Sequence, residues 1–138
     1  MKGATKMNPI VIPKMKKYTI LILFGGALYC ICELSWRGWT HPSMALCGGL
    51  CFLMIYMVND KLRGSSLIKQ GLISCAVITT TELLFGFVLN ILLGLNVWNY
   101  SNIGFDLLGQ ICIPFCGVWF ILSYPCIFIS RVLKKCLG

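Results

Sequence analysis

The stretch Cys32-Glu33-Leu34-Ser35-Trp36-Arg37-Gly38-Trp39-Thr40-His41-Pro42 ends one apolar run and precedes the next. An acid, a base, two indoles and the only histidine of the chain crowd into it. The run before it, Tyr18 to Trp36, contains one charged residue, Glu33; the run after it, Ser43 to Val58, contains none. Gly38 and Pro42 break a helix. Trp and Arg beside an apolar run are the composition of a membrane–water interface. The stretch therefore reads as the outer turn between two membrane-spanning helices, and that decides the fold.

The bulk composition agrees. The 138 residues are 58% hydrophobic and only 12% charged, against about 25% charged in soluble domains. Four apolar runs of membrane length explain the deficit. The expected fold is all-α: an integral membrane four-helix bundle with spans at about 18–36, 43–58, 70–98 and 107–130. A basic tail, 1–17, precedes the membrane domain, 18–133. Residues 134–138 form a second basic tail. The 70–98 pattern is roughly 40 Å long at about 1.5 Å per residue, more than a ~30 Å hydrocarbon core. It must tilt, break or project, with Gly86 and Gly94 as weak points. Pro114 and Pro125 are expected to bend the last span. Gly25 and Gly26 in the first span, and Ala45, Gly48 and Gly49 in the second, allow close helix approach.

The net charge of +8 is arranged as topology signals rather than as a nucleic-acid surface. The tails, the 59–69 loop and Arg131 at the end of the last span hold eleven Lys and Arg, whereas the 37–42 and 96–106 loops hold one. Basic loops stay inside, so both termini are expected to be cytoplasmic and the Trp-rich loops external. The nine cysteines lie mostly within apolar runs, with Cys47/Cys51 and Cys112/Cys116 as i,i+4 pairs on helix faces. With no CxxC motif and one isolated histidine, zinc is not expected.

Glu33 and Glu82 are the two acids inside apolar spans, where a charge costs about 2.5–3.5 kcal/mol. Counted from Lys17 and Lys69 at about 1.5 Å per residue, they lie roughly 24 and 20 Å from the cytoplasmic edge. Both fall in the outer third of the bilayer. Gln110, on the fourth span, and Gly48 and Gly49 reach a similar level. Arg37 can pair with Glu33 at i,i+4. Thr79, Thr80 and Thr81 extend the polar strip of span three inward. The candidate ion- or ligand-binding set is Glu33, Arg37, Glu82 and Gln110, with Trp36, His41, Trp98, Asn99, Tyr100 and Asp106 from the outer turns. Two readings of the layer stay open. In one, Glu33–Arg37 is a salt bridge, Glu82 bonds Gln110 or a loop amide, and the layer glues the bundle. In the other, the layer lines a cavity open to the outside that binds a cation or polar solute. The tryptophans and Tyr100 read first as interfacial anchors, and His41 as a surface residue before a proton relay. No nucleophile elbow, P-loop or HExxH motif occurs, so no enzyme, cofactor or intrinsic ATPase is expected.

Three groups of residues carry a family resemblance: Glu33-x-x-Trp36-Arg37-Gly38-x-Thr40-His41, Gly48-Gly49-Leu50-Cys51-Phe52, and Val97-Trp98-Asn99-Tyr100-Ser101-x-x-x-Phe105-x-Leu107-x-Gly109-Gln110-Ile111-Cys112. Together they resemble the ABC-transporter type IV membrane family of Firmicutes and their phages. That family commonly carries Asp where Asn99 stands and Asn where Asp106 stands. The resemblance implies a permease in a bacterial plasma membrane with a separate ATPase, and no established substrate. The expected function is a transport or channel component for an ion or small polar solute, in the lipid bilayer, working as a homo-oligomer or with partner subunits. A holin-like protein that permeabilises the membrane is the runner-up, and a scaffold or ligand sensor without transport is the third alternative.

Overall fold

The computed structural model describes residues 13–137; most of the basic N-terminal tail lies outside them. Helix α1 runs Lys14–Arg37, α2 Pro42–Lys61, α3 Leu67–Gly86 and α4 Ile113–Leu137. A π-helical segment, Phe87–Leu92, prolongs α3. Each of the four, with α3 taken through Leu92, is long and apolar enough to cross a membrane.

Local chemistry sets the helix ends. Gly38 takes φ 75° and returns its N–H to the Leu34 carbonyl, a left-handed glycine cap. His41 caps α2: its Nδ1 accepts from the Ser43 N–H at 3.2 Å, with Pro42 in the first helical turn. Ser66 caps α3 by accepting from the Lys69 N–H. The long third apolar run changes its helical hydrogen-bonding at one expected glycine and ends at the other. The π-helical segment starts directly after Gly86, and the chain leaves the helix at Gly94, with φ 64°. Val97 and Trp98 are therefore not the end of a span, as the 70–98 pattern suggests. They fold back into the bundle.

The fourth span also differs from 107–130. Residues 106–112 form a small hairpin, β1 (Asp106–Leu107) with β2 (Ile111–Cys112), and α4 begins only at Ile113. Turn formers around Gly104 and Gly109, both with positive φ, favour the turn over the helix. Pro114 consequently falls in the first turn of α4, where its missing N–H costs nothing, and only Pro125 lies inside the helix. Cys112 sits on β2, so Cys112 and Cys116 do not share a helix face. At the other end α4 continues through Lys134 and Lys135 to Leu137, taking in most of the expected C-terminal tail.

Helix α2 is the central element. Half of its apolar stretch is buried, against 17–22% for the other three spans. It packs on α1 along one side and on α3 and α4 along the other. The α1–α2 contact is made by the small residues singled out in the sequence, and they meet each other. A methyl group placed on Gly26 would stand 2.6 Å from the Ala45 carbonyl oxygen, and one on Gly25 would stand 2.9 Å from the Phe52 ring. A methyl group on Gly49 would strike the Ile22 backbone, and one on Gly48 the Tyr29 side chain. Between α2, α3 and α4 the core is Cys47, Cys51, Ile55, Ile78 and Ile127, with the thiols packed as small apolar groups.

Close packing here predicts a sharp size limit. Gly49→Leu should lower stability by about 1–3 kcal/mol, the range for overpacking. Gly64→Ala, where an added methyl meets nothing within 4 Å, should leave the melting transition in detergent unchanged. Equal midpoints for the two variants would rule out the α1–α2 contact.

Candidate functional site

The end of the bundle at which α1 passes into α2 is covered by residues 93–112, which descend between the helices. Val97 and Trp98 are buried, Trp98 to 7% exposure, and form a small core with Met44, Tyr29, Phe85 and Leu89. Gly86 makes room: a methyl group there would meet the Gln110 side chain at 2.5 Å and the Trp98 ring at 3.0 Å. Trp98 is thus not an interfacial anchor. Its indole N–H donates to the Gln110 carbonyl at 3.0 Å. Trp36, 80% exposed, and Trp39 lie at the surface of the bundle instead.

Each acid of the layer has its own partners. Glu33 accepts from the Arg37 guanidinium at 2.8 and 3.1 Å through one carboxylate oxygen, the expected i,i+4 pair. Arg37 lies over the Trp39 ring at 4.0 Å and donates to the Val97 carbonyl at 2.8 Å. Glu82, 4% exposed, accepts from the Tyr100 hydroxyl at 2.6 Å through one oxygen and from the Trp119 indole at 2.9 Å through the other. No hydrogen bond joins the two acids among the described residues. Glu82 does not bond Gln110, which sits in the hairpin turn and not on a span. Gln110 accepts instead from the Asn90 side chain at 2.7 Å, and Asn90 accepts from the Val97 N–H at 2.6 Å. The Val97 peptide is therefore held on both sides, its carbonyl by α1 and its N–H by the π-helical segment.

The aromatic groups stack beneath this. Tyr100 lies parallel to Phe115 at 4.7 Å, Phe115 tilts against Trp119 at 6.1 Å, and Trp119 against Tyr29 at 6.2 Å. Burial, then the neighbouring Glu82 carboxylate, hold the Tyr100 pKa far above the ordinary tyrosine range. The phenol remains a donor at all physiological pH.

The other candidate residues separate from this cluster. His41 is a helix cap, and its ring also meets the Ser43 hydroxyl at 2.6 Å. Asn99 and Asp106 come together on the outer surface at Gly109: Asp106 accepts from the Gly109 N–H at 2.8 Å, and Asn99 accepts from Ser101 beside it. The three threonines do not form a strip. Thr79 faces Cys116, Thr80 is exposed, and Thr81 bonds the Val77 carbonyl. Three members of the site carried little signal in the sequence. Trp119 looked like one more apolar residue of span four, although it stands one turn after Phe115. Tyr29 lies one turn before Glu33, and Asn90 is a lone amide in an apolar run; the only signal either offers is a polar atom that needs a partner.

Tyr100→Phe and Trp119→Phe should each destabilise the protein by about 1.5–3 kcal/mol, the scale of a hydrogen bond to a charged group. Glu82→Gln should make the Tyr100 change cheaper in a double-mutant cycle; strictly additive losses would rule out the bond. The Tyr100 pKa gives a pH test with a definite sign. The folded state favours the neutral phenol, so its contribution is complete below about pH 10, the ordinary value, and is lost as pH rises toward the folded value. The phenolate absorbance that Tyr100→Phe removes should therefore emerge only well above that pH.

A protein-family model described as "Putative ABC-transporter type IV" matches residues 27–137, from mid-α1 to the end of α4. No curated protein and no solved structure matches the chain. The family match takes in Glu33, Glu82, the aromatic loop and the four helices long enough to span a bilayer, so this multi-pass membrane protein belongs to the family described as "Putative ABC-transporter type IV".

Proposed function

We propose that this chain is the membrane subunit of a transport system for an ion or small polar solute, with the Glu33–Glu82 layer on the solute path. Residues 93–112 act as its outer cover. One observation carries this: both charged centres are tied to the same loop. Arg37 holds the Val97 carbonyl, and Tyr100 holds Glu82. Lifting the loop would release both ties at once and turn the Glu33–Arg37 pair and the Glu82 carboxylate toward the outside. A π-helical segment leads directly into that loop, and such segments recur at functional sites. The candidate ligand-facing residues are Glu33, Arg37, Glu82 and Tyr100, with Gln110 and Trp98 holding the loop.

The chain is read as a carrier and not as an enzyme. The family description supports a separate ATPase partner. The basic charge of the tails and of the 59–69 loop supports a plasma-membrane topology with both termini cytoplasmic. Four spans around a packed core leave little lumen of their own, which favours assembly with further copies or with partner subunits.

A second reading rests on a specific observation: both Glu82 oxygens and the Glu33–Arg37 pair find their hydrogen bonds within the chain. On that reading the layer is a static clamp in a scaffold. Reconstitution in proteoliposomes separates the two. As a gate, Tyr100→Phe should raise basal ion leak and Glu82→Gln should lower coupled flux several-fold. As a clamp, both variants lower the melting temperature and leave every flux unchanged, and that outcome would remove the transport role of the layer.

A further inference from the structure

The end of the bundle opposite the aromatic loop holds a second polar group, where α1 begins and α2 and α4 close. Asp60 accepts there from the Lys134 ammonium at 2.8 Å and lies 3.4 Å from the Arg63 guanidinium. Arg131 donates at 2.5 Å to Gln70, which is neutral. Among the described side chains of this group, one carboxylate thus stands among three cationic groups, an excess of two positive charges. The ammonium groups of Lys134 and Lys17 also lie over the Tyr56 ring, at 5.7 and 5.1 Å.

Tyr56, Asn59, Asp60, Arg63, Arg131 and Lys134 line one shallow cleft. Two of them leave a polar atom unmatched. Tyr56 is 5% exposed and Asn59 3% exposed, yet the Tyr56 hydroxyl and the Asn59 Oδ1 find no hydrogen-bond partner among the described residues. Their neighbours are otherwise served: the Asn59 amide donates to the Ile55 carbonyl at 2.9 Å and to Ser74 at 3.0 Å. A buried polar atom without a partner is costly, and two at one cleft ringed with excess positive charge point to a ligand that supplies both.

We propose that this cleft binds a phosphate-bearing group that also carries a hydroxyl or amine hydrogen. The phosphate oxygens accept from the Tyr56 hydroxyl and the basic side chains; the hydroxyl or amine donates to Asn59 Oδ1. Basic pockets between membrane helices hold lipid headgroups by this chemistry. A glycerol-type anionic phospholipid offers both halves. A choline phospholipid has the phosphate but no donor. A free phosphate monoanion has both and needs no membrane. The inference depends on the chain lying in a bilayer, and neither on transport nor on which side this end faces.

The test uses the full chain in a neutral detergent, with its thermal midpoint as readout. Phosphatidylglycerol should raise the midpoint by several degrees, and phosphatidylcholine at the same mole fraction should not. A rise with inorganic phosphate as well assigns a free phosphoryl anion as a ligand; a rise with the lipid alone assigns the headgroup. Tyr56→Phe and Lys134→Gln, each judged folded by its own transition without added lipid, should lose most of the rise. Arg131→Gln serves if either fails to fold. Lys69→Gln removes one charge at the same end but outside the cleft, and should keep the rise. The proposal is overturned if neither probe shifts the midpoint, or if Tyr56→Phe keeps the full rise. It is also overturned if Lys69→Gln loses as much as Lys134→Gln, which would reveal attraction to diffuse charge and not a site.

Discussion

A carboxylate inside an apolar helix must find its donors within the protein, because hydrocarbon offers none. Glu82 meets that constraint by taking a phenol from the 93–112 loop and an indole from α4. Glu33 meets it locally, through Arg37 one turn away. Arg37 then has donors to spare and uses one on the Val97 carbonyl. The path of residues 93–112 follows from these demands. A loop that in a soluble protein would lie on the surface is drawn into the bundle because its polar groups are what the buried charges require.

Entry of the loop needs space, and the packing below provides it. Helices α1 and α2 close tightly on each other through facing small residues, where backbone approaches backbone. In a bilayer this contact does not draw on a hydrophobic driving force, since lipid tails are as apolar as Leu; it depends on dispersion and close fit. Gly86 repeats the device on α3, admitting the Trp98 ring and the Gln110 side chain. The π-helical turn that follows lets Asn90 bond both the Val97 N–H and Gln110.

The two ends of the bundle solve the same problem differently. At the end covered by the aromatic loop both carboxylate oxygens of Glu82 are matched, and the cover is apolar and aromatic. At the other end cations outnumber anions, and Tyr56 and Asn59 keep unmatched polar atoms. Buried polar atoms without a partner among the described residues occur at both ends, Thr40 Oγ1 in the α1–α2 turn and Tyr56 and Asn59 opposite it, so the difference between the ends lies in their charge.

Composition and pattern determined four apolar helices, the small-residue face of α1 and α2, the weak points at Gly86 and Gly94, and the Glu33–Arg37 pair. All of these rest on interactions within a few residues of each other, or on a period that one strand of text displays. The partners of Glu82 were not legible, because Tyr100 and Trp119 lie 18 and 37 residues away. Nor was the inward fold of Trp98: an aromatic next to Asn and Gly looks the same whether it anchors at the lipid surface or fills a gap in a core. That choice was made by tertiary packing, where a buried charge needed a donor and a glycine left room for the loop that carried it.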